Sequence, residues 1–567
     1  MTKKILFSIL SALIWAQNVT AQMYQVAQAP KHEVRAVWLT TIGGIDWPAH
    51  YANAASPSSI ERQKREFIAI LDDLQKTNIN TILLQTRVRG TTIYPSAIET
   101  WDGCLSGKPG VSPGYDALQF AIDECHRRGM ELHAWVVTIP VGKWNAIGCK
   151  SLRKRYPGLI RQIQGEGYMN PEMPQTGDYI ARICKEITDK YDVDGIHLDY
   201  IRYPETWKIK VSKSKGREYI TSIVRKIHRA VKQNKPWIKL SCSPIGKYDD
   251  LTRYRSGGWN ANSTVCQDAQ GWLRDGLMDA LFPMMYFRGN NFYPFAIDWK
   301  EQSYGRMIVP GLGIYFLDRK QKDWPLTDIS REMYFIRSIG EGHCYFRSKF
   351  FTDDTKGIYS FARNQFDQYP ALIPAMTWEK ADLPAAPSHL NIIQGKSHDE
   401  ISWENIDRGN EKYLYHYYNV YASDSYPVDV SDARNLIVVR TRSNKVIVPT
   451  RQHPDWHYAL TAIDRYGNES KPALDPRDSS SDEMQILAYQ QKGYLKCDGR
   501  TLLLPKAPSI IDIEYLVVKS LQGQVLYTLP YSEEVNVSKI PDGVYKLYSL
   551  NKKKVAHRMG FFQIYRK

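Results

Sequence analysis

The run from Val193 to Glu205 (VDGIHLDYIRYPE) holds the residues best suited to chemistry. Side chains alternate along a strand, so His197, Asp199 and Ile201 share one face while Ile196, Leu198 and Tyr200 share the other. A carboxylate inside an apolar strand is costly unless it is paired or used. Asp199 therefore reads either as a reacting carboxylate, working as acid, base or nucleophile, or as the ion-pair partner of Arg87 or Arg202. Asp194 opens the same strand on the opposite face and reads as structural. Further acids follow apolar runs: Glu205 just behind this strand, Asp46 and Asp249 behind others.

Two rival chemistries are weighed against the same residues. His133, His197, Asp199 and Asp46 are of the types that hold a divalent metal, but the first strand (VWLT, 37–40) lacks a His-x-His pair and no HExxH occurs. A serine nucleophile would need an elbow of the GxSxG type, which is missing. The expectation is carboxylate chemistry with no metal and no cofactor.

Those residues need elements to hold them. From Glu33 to about Ala362, short apolar strands alternate with amphipathic helices. The strands expected are 34–40, 81–86, 132–137, 195–201, 239–244, 280–286, 308–314 and 357–361. Between them the 3.6-residue period recurs, as in Phe67, Leu71 and Leu74, or in Ile220, Val224, Ile227 and Val231. Ser58 with Glu61 suggests a capping box before the first helix, and Gly129 a left-handed stop after the second. Eight βα units in this length, with no GxGxxG after the first strand, predict a closed parallel barrel rather than an open sheet. Function then belongs at the carboxyl ends of the strands.

The full chain has 567 residues, enough for three or four folded units. Hydrophobic residues make up 43% and charged residues 24%, which excludes global disorder and a polytopic membrane protein. The predicted fold is an α/β (β/α)8 TIM barrel at 30–378 followed by two small all-β sandwich-like domains, at 384–476 and 484–567. The first of these ends in a segment (458–472) that resembles the last strand and turn of a fibronectin type III domain. The second carries VKSLQGQVL (518–526) and IPDGVY (540–545), a pair that resembles the C-terminal sorting domains of the type IX secretion system. A polar hinge at 479–482 separates them.

Residues 1–21 read as a signal peptide, with Lys3 and Lys4 ahead of a short apolar run and a small-residue cleavage site at 19–21. Export to the periplasm, cell surface or medium is expected, with no membrane span. Eight Cys make no disulfide framework, although Cys104, Cys149, Cys242 and Cys266 are candidates for one or two bridges; Cys125 and Cys184 read as buried thiols. The net charge of +15 is dispersed along the chain, which argues against nucleic acid as a partner.

A series of ordered motifs resembles the glycosyl hydrolase-like family 10 catalytic domain: RAVWLTT (35–41) with DWP (46–48), NTILLQTR (80–87), YPS (94–96), PGYDAL (113–118), RGMELHAW (128–135), DGIHLD (194–199) and SPIG (243–246). The resemblance implies a secreted (β/α)8 glycosidase that acts on a polysaccharide, with bacterial peptidoglycan glycan strands as its best-supported substrate class. Two positions depart from it. Tyr200 stands where relatives often carry a second Asp, and Asn170 stands in MNP where Leu-Asp-Pro is common. Of these positions only Asp199 retains a carboxylate.

Glycoside hydrolysis needs two carboxyl groups, one to protonate the departing oxygen and one to attack or to activate water. Asp199 is the first, as nucleophile or base. Glu205 and Asp46 are the candidates for the second, ahead of Asp249. Arg87, His133, Trp135, His197, Arg202, Tyr286 and Trp259 are the candidate substrate contacts, with Arg288 beside Tyr286. The alternatives are a non-catalytic glycan-binding barrel protein and, further off, a metal-dependent hydrolase.

Overall fold

A computed structural model describes residues 29–404, 415–424, 426–449, 456–476, 495–504, 513–520, 524–551 and 556–566. The signal-peptide segment and the polar hinge lie outside them. Eight parallel strands are labelled here β1 (Arg35–Leu39), β2 (Thr81–Arg87), β3 (Glu131–Val137), β4 (Gly195–Asp199), β5 (Lys239–Cys242), β6 (Ala280–Leu281), β7 (Met307–Ile308 with Gly311–Leu312) and β8 (His343–Tyr345). The pairing order is β7-β6-β5-β4-β3-β2-β1-β8-β7, with the first piece of β7 on β6 and the second on β8. The two ends of the curled sheet thus belong to one segment, interrupted at Pro310, which has no N–H to give to a ladder. The result is a TIM-barrel-like α/β layer.

A helix follows each strand: α1 (Pro57–Gln75), α2 (Ala117–Arg127), α3 (Pro174–Lys190), α4 (Lys213–Lys232), α5 (Ala269–Arg274), α6 (Tyr293–Glu301), α7 (Leu326–Ser338) and α8 (Ile358–Phe361). Their apolar stripes, such as Phe67, Leu71 and Leu74 of α1, are buried against the outer faces of the strands with Ile82, Leu84, Ile196 and Leu198. Alternate residues, including Ala36, Trp38, Leu83 and Trp135, fill a separate inner core.

Three local expectations are corrected. The segment expected as the eighth strand, 357–361, is helical, and the eighth strand is His343–Tyr345. A short apolar run such as GIYSF carries no period that separates strand from helix. The first helix begins at Pro57, behind Ser56, so Ser58 lies inside it and forms no capping box. All eight cysteines are free, including the four considered as bridge partners. Gly129 does take the left-handed conformation, with φ of 73°, where α2 stops.

An element the sequence did not announce follows β3. Pro140–Lys143, Ile160–Ile163 and Glu166–Met169 form a three-stranded antiparallel sheet with the last of these in the middle.

Beyond the parallel sheet, a three-stranded and a four-stranded antiparallel sheet at 388–474 enclose a core of Ile401, Trp403, Val420 and Leu460. A four-stranded sheet and a strand pair at 501–564 enclose Leu516, Val518, Leu547 and Phe562. The first of these units docks on the amino-terminal face of the parallel strands. Arg440 reaches Asp194 Oδ1 at 3.1 Å, and Arg442 and Arg465 each reach Asp192 at 2.6 Å. Among the described residues no helix is long and apolar enough to cross a membrane.

Candidate active site

Asp199 ends β4 and lines a cavity of about 600 Å³ at the carboxyl ends of the strands. Thr40 behind β1, Gln85 of β2, Trp135 of β3, Tyr286 behind β6 and Phe346 behind β8 line it too. Three donors converge on the carboxylate. The Trp135 indole reaches Oδ2 at 3.2 Å, the Ser243 hydroxyl reaches Oδ1 at 3.0 Å, and the Tyr200 backbone N–H reaches Oδ1 at 2.8 Å. The Asp199 carbonyl in turn accepts from the N–H and hydroxyl of Thr138, at 2.9 and 2.8 Å, tying the exit of β4 to that of β3.

Burial raises the pKa of Asp199, and Arg202, Ser243, the Tyr200 N–H and Trp135 oppose that rise. The balance leaves a carboxyl group easier to protonate than an exposed aspartate, yet furnished with donors for its ionised form.

The residue after it changes the geometry. Tyr200 has φ of 55°, a left-handed conformation that costs a non-glycine residue roughly 1–2 kcal/mol. It breaks the alternation expected along 196–201. Tyr200 lines the cavity against the inner core, whereas Ile201 is buried in the outer core with Ile196 and Leu198.

Arg202 joins the site. Its guanidinium holds Glu205 Oε1 at 2.9 Å and stands 4.0 Å from Asp199 Oδ1, over the Tyr200 ring. Glu205 lines the cavity, with its Oε1 taking both N–H bonds from Arg202.

Other sequence candidates are placed elsewhere. The Asp46 carboxylate is buried, accepting from the Thr40 N–H at 2.8 Å and hydroxyl at 2.6 Å and pairing with Arg347, so it shapes the rim through Arg347 and does not line the cavity. Asp249 is taken up by Ser263 and Asn262. Arg87 does not meet Asp199. A register shift between Gln85 and Arg87 turns Arg87 outward, where it forms a buried bidentate pair with Glu99, backed by the Tyr179 hydroxyl. Gln85 takes the cavity position instead, its Oε1 holding the N–H groups of Thr41 and Ile42.

The two histidines lie in the strand interior. His197 Nε2 accepts from the Trp38 indole at 3.2 Å, so Nδ1 carries the proton towards Ser241, and burial keeps the ring neutral. His133 bonds to Glu131 at the amino-terminal end of β3. Trp259 is exposed and does not line the cavity, and Arg288 pairs with Asp328. The four residues weighed as metal ligands therefore do not converge. Among the described residues, only Glu33, His343 and Asp367 have ligand spacing, and Arg35 and Arg337 already neutralise their carboxylates.

Sequence reasoning missed Glu166 and Tyr168 of the inserted sheet, both in the cavity lining. Period-two alternation in EGYM puts them on one face of their strand, a signal too short to recognise without knowing that the strand exists.

The order of strands, the acid at the end of β4 and the sequence motifs agree with one family. The chain matches the family described as Glycosyl hydrolase-like 10 over residues 33–213 and 208–315, and it belongs to that family. Two relatives define its neighbourhood. It is 24% identical over 515 residues to the Bacillus subtilis (strain 168) protein named glycosyl hydrolase YngK, covering 83% of this chain and 98% of that one. It is 30% identical over 293 residues to the Escherichia coli (strain K12) protein named glycosyl hydrolase DigH, covering 46% of this chain and 67% of that one.

Proposed function

We propose that the protein is a glycoside hydrolase that cleaves O-glycosidic bonds of a polysaccharide, with glycan strands of bacterial peptidoglycan as the favoured substrate. The observation that carries this reading is the placement of Asp199. It is a nearly buried carboxylate, met by three hydrogen-bond donors, in a wide cavity where parallel strands deliver their catalytic groups. Family membership supports the same class.

Asp199 acts as the nucleophile on the anomeric carbon or as the base that takes a proton from the attacking water. The second carboxyl group comes from the rim, where Glu205 and Glu166 both line the cavity. Trp135, Tyr200 and Tyr286 offer ring faces to a sugar. Arg202, with Nη1 4.0 Å from Asp199 Oδ1, holds the charge of the ionised carboxylate in place. We place the protein outside the cytoplasm, reading residues 1–21 as an export signal. We read the 384–476 unit as a fibronectin type III-like module docked on the parallel-sheet unit, and the 484–567 unit as a domain that resembles a type IX sorting domain.

The test is incubation with purified glycan strands and separation of the products, wild type beside Asp199→Asn. Product from the wild type alone supports hydrolysis. Binding without product from either protein marks a glycan-binding barrel instead.

A further inference from the structure

We propose that Glu166, carried on the sheet inserted after β3, is the second catalytic carboxyl group and protonates the departing glycosidic oxygen. This rests on the hydrolase reading above. Three observations carry it.

The first is orientation. Along Glu166–Met169, Glu166 and Tyr168 are half-buried and line the cavity, while Gly167 and Met169 are buried. A Cβ on Gly167 would come within 2.5 Å of Cys149 Sγ and 3.1 Å of Val141, so that face is packed shut. The strand cannot turn over, and Glu166 is held on the cavity side.

The second is anchorage. The Met169 N–H donates to the Ile139 carbonyl at 2.8 Å, and neighbouring Thr138 binds the Asp199 carbonyl. The inserted sheet is therefore fixed to the exit of β4 by a short chain of backbone bonds, which sets Glu166 relative to Asp199 rather than leaving it on a free loop.

The third is availability. The Asp46 carboxylate is shielded beneath the rim and spent on Thr40 and Arg347, and Glu205 gives Oε1 to two guanidinium N–H bonds. Glu166 lines the cavity, and among the described residues its side chain has no ion pair or hydrogen bond.

In the step, the proton on a Glu166 oxygen moves to the glycosidic oxygen as the bond from that oxygen to the anomeric carbon breaks, the electron pair staying on oxygen. The anomeric carbon gains a bond from Asp199 or from a water whose proton Asp199 takes. In the first case a water then attacks that carbon, breaking its bond to Asp199 and giving its proton to Glu166; in the second Asp199 releases its proton to solvent and Glu166 takes one up, so that one water is consumed and both carboxyl groups are restored.

The test uses the full chain and purified peptidoglycan glycan strands, with Glu166→Gln compared against wild type and Glu205→Gln for cleavage rate, pH profile, strand binding and thermal unfolding. We expect Glu166→Gln to unfold like wild type, to bind strands as wild type does, and to lose on the order of a hundred- to ten-thousandfold in rate. Its residual activity should lack the alkaline limb of the wild-type profile, because Gln has no proton to lose there. Glu205→Gln should keep that limb. A Glu166→Gln enzyme within about threefold of wild type, or a slow one that keeps the alkaline limb, overturns the assignment while the hydrolase reading stands. Absence of cleavage by the wild type on these strands and on a wider panel of glycans overturns both.

Discussion

The backbone N–H of Tyr200 donates to Asp199 Oδ1 at 2.8 Å, and Tyr200 reaches that position in a left-handed conformation. The strand ends because its next residue turns back to solvate the carboxylate. The same turn brings the Tyr200 ring into the cavity and under the Arg202 guanidinium. Local strain at such a position is a common companion of a working site.

That conformation is open to direct measurement. Tyr200→Gly and Tyr200→Ala both remove the ring, but only Ala keeps the Cβ that clashes in the left-handed region. Chemical denaturation should find the Gly variant more stable than the Ala variant by about 1 kcal/mol. Equal stability would mean that the turn relaxes.

Asp199 should lower stability where it ionises. Its folded pKa lies above 3.8 because of burial. Between the unfolded and folded values the native state binds more protons, so stability falls as pH rises through that window and stays lower above it. Asp199→Asn should therefore melt at a higher temperature than wild type at pH 7, the gap closing as pH drops below the unfolded value, while cleavage is abolished. Thermal unfolding across pH checks the sign.

The Trp135 indole and the Ser243 hydroxyl both stabilise ionised Asp199. Trp135→Phe deletes one charge-assisted bond and should move the acid limb of the pH–rate profile upward by about one pH unit. A limb that stays in place would mean that Asp199 does not act in its ionised form.

The contact between the parallel-sheet unit and the 388–474 unit joins ion pairs to apolar packing of Leu372 with Tyr421 and Leu436. Arg440, stacked on Tyr417, meets Asp194, and beside it Glu131 is lowered to about 2 with Lys239 and Arg440 opposing its burial. Arg440→Met leaves a buried carboxylate short of one cation and should cost on the order of 3 kcal/mol. Turnover per folded molecule should not change, because this face lies at the opposite ends of the strands from the cavity. Denaturation midpoints and active-site-normalised rates separate the two effects.

Much of the parallel layer was legible because alternating apolar strands and 3.6-residue stripes are strong, repeated signals. Asp199 stood out for the same reason, as an acid in an apolar strand. The failures have local causes. The register shift after Gln85 reversed the face expected for Arg87, and left-handed Tyr200 reversed the faces at 200–201. Asp46 follows its strand as expected, yet Thr40 and Arg347 capture it, a partnership that depends on Arg347 arriving from 301 residues away. Glu166 was invisible because the sheet that carries it is an insertion, made of four-residue strands without a readable period.

The measurement that tests the central claim most directly is mass spectrometry of products released from purified peptidoglycan, intact and stripped of its stem peptides, by wild type and by Asp199→Asn at equal concentration. The account predicts oligosaccharides from the wild type, with one new reducing end and one water added for each bond cleaved, and none from the variant. Equal release by both proteins, or none from the wild type on these and a wider panel of glycans, would contradict it.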